Sequence, residues 1–198
     1  MTRIRRFQPG DEPALAEICV LTADAGGDAT GILDDDELWA QIFVLPYVAR
    51  HPDLAFVVEG DDGRVVGYIV GTPDTQAFED WFHDEWWPER GEPWPLPDVE
   101  QSRQDGLLIY AYSRRAGAEP YGAEYPAHLH IDLLPEAQGQ SWGRRLIQTL
   151  VVALREQGVP GLHLVAASEN TGAVAFYPRV GFTAIPSHPG VQAFARTL

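Results

Sequence analysis

Asp132-Leu133-Leu134-Pro135-Glu136-Ala137-Gln138-Gly139-Gln140-Ser141-Trp142-Gly143-Arg144-Arg145 reads as a strand, a tight loop of small residues and the start of a helix. The helix, Ser141 to Gln157, places Leu146, Leu150 and Leu154 on one face with Ile147 and Val151 beside them. A helix start leaves backbone N–H groups unpaired at the positive end of its dipole. Gly139, Ser141 and Gly143 remove bulk there, so an anion such as a pyrophosphate can come close. Arg144 and Arg145 in the first turn run against the dipole's preference for acids, which supports an anionic partner. No Gly-Lys-Ser/Thr follows the glycines, and their spacing does not fit a dinucleotide fingerprint. Taken alone, the stretch also fits an ordinary strand–helix turn.

Working outward, Gly161 to Ala167 reads as a buried strand and Asn170 to Val180 as a short helix capped by Asn170. A last hairpin would pair Phe182–Ile185 with Gln192–Thr197. Upstream, Arg3 to Phe7 reads as a strand, and Asp11 is expected to cap a helix with Pro13 in its first turn. A small-residue loop, 23 to 31, leads to a helix starting at 34–37 and ended or kinked by Pro46. Leu54–Glu59 and Arg64–Gly71 form a hairpin about Gly60-Asp61-Asp62-Gly63. Leu107–Tyr112 and Ala127–Leu134 are expected as strands. Hairpins early and strand–helix alternation late predict an α/β fold, a central mixed sheet flanked by helices. One domain over 1–198 is expected, with a Trp/Pro-rich insertion at about 74–105. Residues 74–100 hold Trp81, Trp86, Trp87 and Trp94, and Arg90 is their single Lys or Arg. We expect a helix from Thr75 to Trp86, then an irregular Pro-rich excursion, either docked or presented to a partner; an exposed Trp-rich surface would favour a homodimer.

Fourteen Lys and Arg against twenty-nine Asp and Glu give a net charge of −15. That argues against a nucleic-acid binder, which needs a basic face, and suits a cationic acceptor. No apolar run approaches the ~18 residues of a membrane span, and Met1–Arg6 carries charge with no apolar segment behind it, so no signal peptide is expected. One cysteine, Cys19, excludes an internal disulfide and a cysteine-clustered metal site. The expectation is a cytoplasmic protein without metal.

Asn170-Thr171-Gly172-Ala173-Val174-Ala175-Phe176-Tyr177-Pro178-Arg179-Val180-Gly181-Phe182 is the second informative stretch. Phe176 is expected to pack inward and Tyr177 to point elsewhere, while Pro178 does not extend the helix pattern. A tyrosine hydroxyl, with its ordinary pKa near 10, suits a donor to a basic leaving group. Together the two stretches resemble the GNAT superfamily of acetyl-CoA-dependent N-acetyltransferases. The family's Gln/Arg-x-x-Gly/Ala-x-Gly/Ala falls on Gln138, Ser141 and Gly143, departing at Ser141. Its Asn-x-x-Ala-x-x-Phe-Tyr-x-x-x-Gly-Phe falls fully on Asn170, Ala173, Phe176, Tyr177, Gly181 and Phe182. A narrower resemblance, to bacterial acetyltransferases related to the C-terminal acetyltransferase-like domain of O-GlcNAcase, is carried by His128–Pro135. Gly27–Thr30, Pro46-Tyr47, Leu54–Val57 and Gly67-Tyr68 add to it.

The resemblance implies a strand at Ile131–Leu134 splayed from that at Leu162–Val165, with acetyl-CoA in the gap. Backbone contacts would come from Leu133 and Leu134 and pyrophosphate amides from Gln138, Gly139, Gln140, Ser141, Trp142, Gly143 and Arg144, with Asn170 near the pantetheine and Phe176 in the pocket. Tyr177 would protonate the departing thiolate. The position where some members carry a strand glutamate falls on Ala127. The candidate bases are therefore His130, Asp132 and, on the acceptor side, Asp28, or a water chain. The partner would be an unknown amine: a small molecule, a protein lysine or an N-terminus. The alternative is a non-catalytic acetyl-CoA-binding or protein-interaction module on the same fold.

Overall fold

The computed structural model describes residues 1–198. β1 (Arg3–Arg6) leads to α1 (Glu12–Val20), with Pro13 in its first turn. Asp11 is the N-cap residue of this helix, as expected, but its side chain makes no cap bond. Its carboxylate is taken by Arg5, at 2.7 and 2.8 Å, and by the Gln8 N–H. α2 (Glu37–Phe43) stops at Val44, and Pro46 lies in the first turn of a new helix, α3 (Leu45–Arg50). Proline is tolerated there because its missing N–H would have no partner. β2 (Phe56–Glu59) and β3 (Val65–Thr72) form the expected hairpin, Gly63 supplying the positive φ of its turn.

Two sequence expectations fail in the middle of the chain. The helical run that begins with α4 (Thr75–Trp81) does not end at Trp86. It passes through one π-helical stretch, Phe82–Trp86, into α5 (Trp87–Arg90), whose first turn accommodates Pro88. Leu107–Tyr112 is not a strand but part of α6 (Arg103–Ser113). Ser102 and Asp105 form a reciprocal capping box that nucleates it, a local signal that outweighs a short apolar run readable as either element. Nor do the tryptophans form an exposed surface. Trp86, Trp87 and Trp94 are buried, Trp87 stacking between Phe82 and Trp94.

The remaining elements are β4 (Ala127–Leu133), α7 (Trp142–Glu156), β5 (Gly161–Ala167), α8 (Thr171–Arg179), β6 (Thr183–Ile185) and β7 (Val191–Thr197). Pro178 lies inside α8, in its last turn, where it removes one backbone bond. The strands make one seven-stranded sheet in the order β1-β2-β3-β4-β5-β7-β6. All neighbours are antiparallel except β4 and β5. One core, with Leu15, Leu38, Ile42, Tyr47, Tyr68 and Phe78, lies on one face, and a second, with Leu129, Leu146, Leu150, Leu154 and Phe194, on the other. No helix is long and apolar enough to cross a membrane.

β4 is the seam. It pairs with β3 from Gly67↔Leu133 to Thr72↔His128, but with β5 only at Ala127↔Leu162 and His128↔His163. Beyond His128 the two strands part. Gly161 makes the apex close: a Cβ there would lie 2.9 Å from the Tyr125 ring. Strand alternation turns His128, His130 and Asp132 toward Tyr47 and Tyr68, and Leu129 toward α7.

The helical segment 75–113 is tied down by Arg114, which is 2% exposed. Its guanidinium donates to both carboxylate oxygens of Glu79 (2.8 and 2.7 Å), to Ile42 O and to Tyr47 Oη, and lies 4.1 Å from the Phe82 ring centroid. Removing one partner of a buried ion pair leaves the other charge uncompensated. Arg114→Met is therefore expected to cost about 3–5 kcal/mol. Urea unfolding of Arg114→Met and of the Arg114→Met/Glu79→Leu pair checks this, the double variant recovering much of the loss.

Candidate active site

Where β4 and β5 part, a cleft of about 620 Å³ opens. Ile131, Asp132 and Leu133 form one wall, and Gly139, Ser141 and Gly143 lie at its head. Gly139 (φ 72°) and Ser141 (φ 66°) both lie in the left-handed region. That conformation curls the loop so that successive N–H groups point to one side. None of the backbone N–H groups from Gly139 to Arg144 donates to a loop carbonyl; the ladder of α7 begins with Arg145 N–H to Ser141 O. Ser141 is a non-glycine residue in a strained conformation and its side chain caps nothing. Gly143 is needed for space: a Cβ would lie 3.2 Å from Phe176 and 3.5 Å from Leu133.

Around the cleft, Asn170 caps α8 by accepting from Ala173 N–H at 2.9 Å. Phe176 lines the cleft and is half-buried, whereas Tyr177 is the inward member of the pair, buried against Phe182 and Phe194. This reverses the sequence expectation, because α8 presents Tyr177 to the sheet. The Tyr177 hydroxyl has no protein partner and is not sealed from the cleft. Burial, with help from the Asp132 charge, raises its pKa, so it stays protonated. Arg144 and Arg179 also border the cleft, Arg144 donating to Arg179 O at 2.9 Å. Arg145 stacks on Trp142.

Several anticipated residues sit differently. The Leu134 N–H is spent on Val66 O, and the Gln138 side chain caps Leu133 O at 2.9 Å. Gln140 donates to Glu136 O. Leu134, Gln140, Asp28 and His130 are not on the cleft wall. Asp28 accepts from the Thr30 N–H and hydroxyl, which holds its carboxyl below the usual range and shapes its own loop. Thr22, Ala25 and Gly26 do line the cleft. Their signal was the run of small residues: a Cβ on Gly26 would lie 3.1 Å from Asn170 Nδ2. No group of three or more His, Cys, Asp or Glu is placed to hold a metal ion.

The ionisable groups on β4 differ by environment. Asp132 accepts from Tyr68 Oη at 2.6 Å, and burial pushes its pKa up to about 6. His130 touches Tyr47 Oη at 3.0 Å, and burial, then Arg114, pushes its pKa down to about 3. At neutral pH the carboxylate is therefore charged but easily protonated, and the imidazole is neutral.

Residues 21–182 match the model of the acetyltransferase (GNAT) family. The fold is similar to the crystal structure of SsHAT, at TM-score 0.94 and 38% identity, over 99% of this chain and 98% of that one. It is also similar to the PaiA N-acetyltransferase of Thermoplasma acidophilum in complex with coenzyme A (TM-score 0.62, 13% identity, 100% and 99% covered), a likeness of fold alone. Among curated proteins, the mycothiol acetyltransferase of Jonesia denitrificans is 29% identical over 120 residues, 52% of this chain. The match spans 37% of that protein's length.

Because the folded state raises the Asp132 pKa, it binds that proton more tightly than the unfolded chain. The stability from the protonated form is full below the unfolded value of 3.8 and is lost as pH rises through about 6. Asp132→Asn is thus expected to stabilise the protein by about 2–3 kcal/mol near pH 7.5, and by almost nothing near pH 3.5. Denaturant titrations at the two pH values check the difference.

Proposed function

The chain belongs to the GNAT acetyltransferase family, and we propose that it transfers an acetyl group from acetyl-CoA to an amine by direct attack in a ternary complex. The observation that carries the reading is the donor loop at the head of the split strands. Its free N–H groups face a cleft rimmed by Arg144 and Arg179, an anion site in a chain of net charge −15. Acetyl-CoA fits the residues present, since Gly143 leaves open a space that a Cβ would close and β4 offers an unpaired edge. When bound, it supplies an activated acetyl thioester.

The residues of this chain do the rest. Gly139 to Arg144 would hold the phosphates. The open edge at Leu133 would pair with the pantetheine arm, and a backbone N–H there would polarise the thioester carbonyl. Tyr177, kept protonated, would give its proton to the departing thiolate sulfur. The amine must lose a proton to attack, and Asp132 fits that task best. It lines the cleft and its pKa of about 6 lies near a neutral working pH, where proton transfer is most effective. His130, pushed to about 3, is a poor base but a constant hydrogen-bond acceptor. The acceptor remains an amine of any of the three kinds. We place the chain in the cytoplasm as one functional unit, nearest the bacterial relatives of the O-GlcNAcase acetyltransferase-like domain on the His128–Pro135 stretch.

Calorimetry with acetyl-CoA tests the cofactor site, with Gly143→Trp as the filled-cradle control. Saturable binding lost in the variant is expected; no binding by the wild type sinks the reading. Release of free CoA thiol with a panel of amines then tests transfer. Tyr177→Phe is expected to lower kcat by about 10²-fold or more, with the KM for acetyl-CoA little changed. With Asp132 as base, kcat/KM rises with pH through about 6. Binding without turnover on any amine would favour the non-catalytic module.

A further inference from the structure

Asp24 and Gly27 exchange both backbone hydrogen bonds, at 3.0 and 2.8 Å, and form an isolated antiparallel bridge. The two residues between them both have positive φ, 51° at Ala25 and 93° at Gly26, which is the backbone of a type I′ turn. Gly26 adopts that conformation freely. Ala25 adopts it against the crowding of its Cβ by the following carbonyl. A further bond, Gly26 N–H to Thr22 O at 3.0 Å, sets the hairpin on the end of α1. The result is a short, stiff lever rather than a loose loop.

The tip of this lever meets α8 across the cleft. Ala25 and Gly26 line the cleft, and a Cβ on Gly26 would lie 3.1 Å from Asn170 Nδ2. Asn170 is the cap of α8 and follows shortly after β5. The hairpin therefore reaches from α1 to α8 as a strap over the opening between β4 and β5. Its outer side, residues 24–28, is exposed.

What holds the strap comes from the segment between β3 and β4. Every hydrogen bond that ties residues 23–27 to a distant part of the chain comes from one side chain, Arg103. Its Nη1 donates to Asp24 Oδ1 at 2.7 Å and its Nη2 to Ala23 O at 3.4 Å. Its guanidinium also lies 5.1 Å from the ring centroid of the buried Trp39. Arg103 is the first residue of α6, where the helix dipole favours an acid. Its neighbours serve the helix: Ser102 and Asp105 form the capping box, and Gln104 accepts from Asp35 N–H at 3.1 Å. Arg103 is thus poorly placed for the helix it begins and well placed for the hairpin.

We propose that Arg103 is a positioning residue for the cofactor: from the head of α6 it latches the Asp24–Gly27 hairpin over the cleft and so slows the escape of bound acetyl-CoA. The inference rests on the acetyl-CoA reading above. It gives the aromatic segment a task at the cleft, although none of residues 74–113 lines it. The latch is exposed, so its strength is modest and falls with salt.

Surface plasmon resonance of acetyl-CoA over the captured protein measures the off-rate. ¹⁵N relaxation of the ligand-free protein measures the order parameters of residues 25–27. Arg103→Gln is expected to raise the off-rate about fivefold at low salt, the scale of one exposed ion pair with a ring contact. In about 1 M NaCl its ratio to the wild-type off-rate is expected to shrink toward one. The order parameters are expected to fall from about 0.85 toward about 0.6. Asp24→Asn is expected to act in the same direction, and Arg103→Gln/Asp24→Asn to be no faster than Arg103→Gln alone. Effects that multiply in the double variant, or order parameters unmoved by Arg103→Gln, overturn the latch. A loosened hairpin with an unchanged off-rate overturns its role at the cleft. A wild type that binds no acetyl-CoA sinks the transfer reading and this role together. A wild type that binds acetyl-CoA and releases it as fast as Arg103→Gln sinks the inference alone.

Discussion

The parting of β4 from β5 is the constraint on which the rest of the molecule depends. An unpaired strand edge inside a sheet is costly, because its N–H and C=O groups lack partners. Here the divergence is held from both sides. β3 keeps β4 in register to Leu133, and β7 pairs β5 along its whole length, so neither strand can swing to close the gap. At the apex His163 anchors to Tyr125 O, and Gly161 lets the chain pass close beside the tyrosine. The opening is thus built into the sheet as two strands with different obligations.

Local fields decide the chemistry on either side of it. A net charge of −15 describes the far field, yet the cleft faces Arg144, Arg179 and a loop of unspent amides. At a few ångströms, oriented donors outweigh remote carboxylates screened by water and salt. Along β4 the same logic separates His130 from Asp132, two residues apart on one face. Burial acts on both, disfavouring whichever form is charged, so it lowers the imidazole pKa and raises the carboxyl pKa. The result is a constant acceptor beside a group that titrates near neutrality.

The aromatic segment between β3 and β4 serves this geometry from behind. Its helices would be a loose excursion without Arg114, whose guanidinium joins Glu79 of α4, Ile42 O of α2 and Tyr47 of α3. Tyr47 in turn reaches both histidines of β4. Arg114 thus links the placement of a whole segment to the one hydroxyl that meets both imidazoles of β4. Its charge is matched there, which lets it be buried without lowering the net stability by the full cost of desolvation.

What the sequence determined by itself was local or carried by motif. The donor loop, the Asn170 cap, the β2–β3 hairpin and the α7 stripe each depend on residues within a few turns of one another, so composition and spacing suffice. Tyr177 was singled out by its motif, though not its inward orientation, which depends on packing against Phe194 on another strand. Leu107–Tyr112 reads as a strand from sequence because a six-residue apolar run fits both periods, and Ser102 and Asp105, which make it helical, lie outside it. Only the tertiary structure decided that the tryptophans turn inward and that Tyr47 reaches His130. Arg114 meets Glu79 across 35 positions, and Tyr47 meets His130 across 83. At such separations no pattern along the chain records a contact. A buried hydrogen bond exists only once the fold has brought its donor and acceptor together and excluded the water that would replace them.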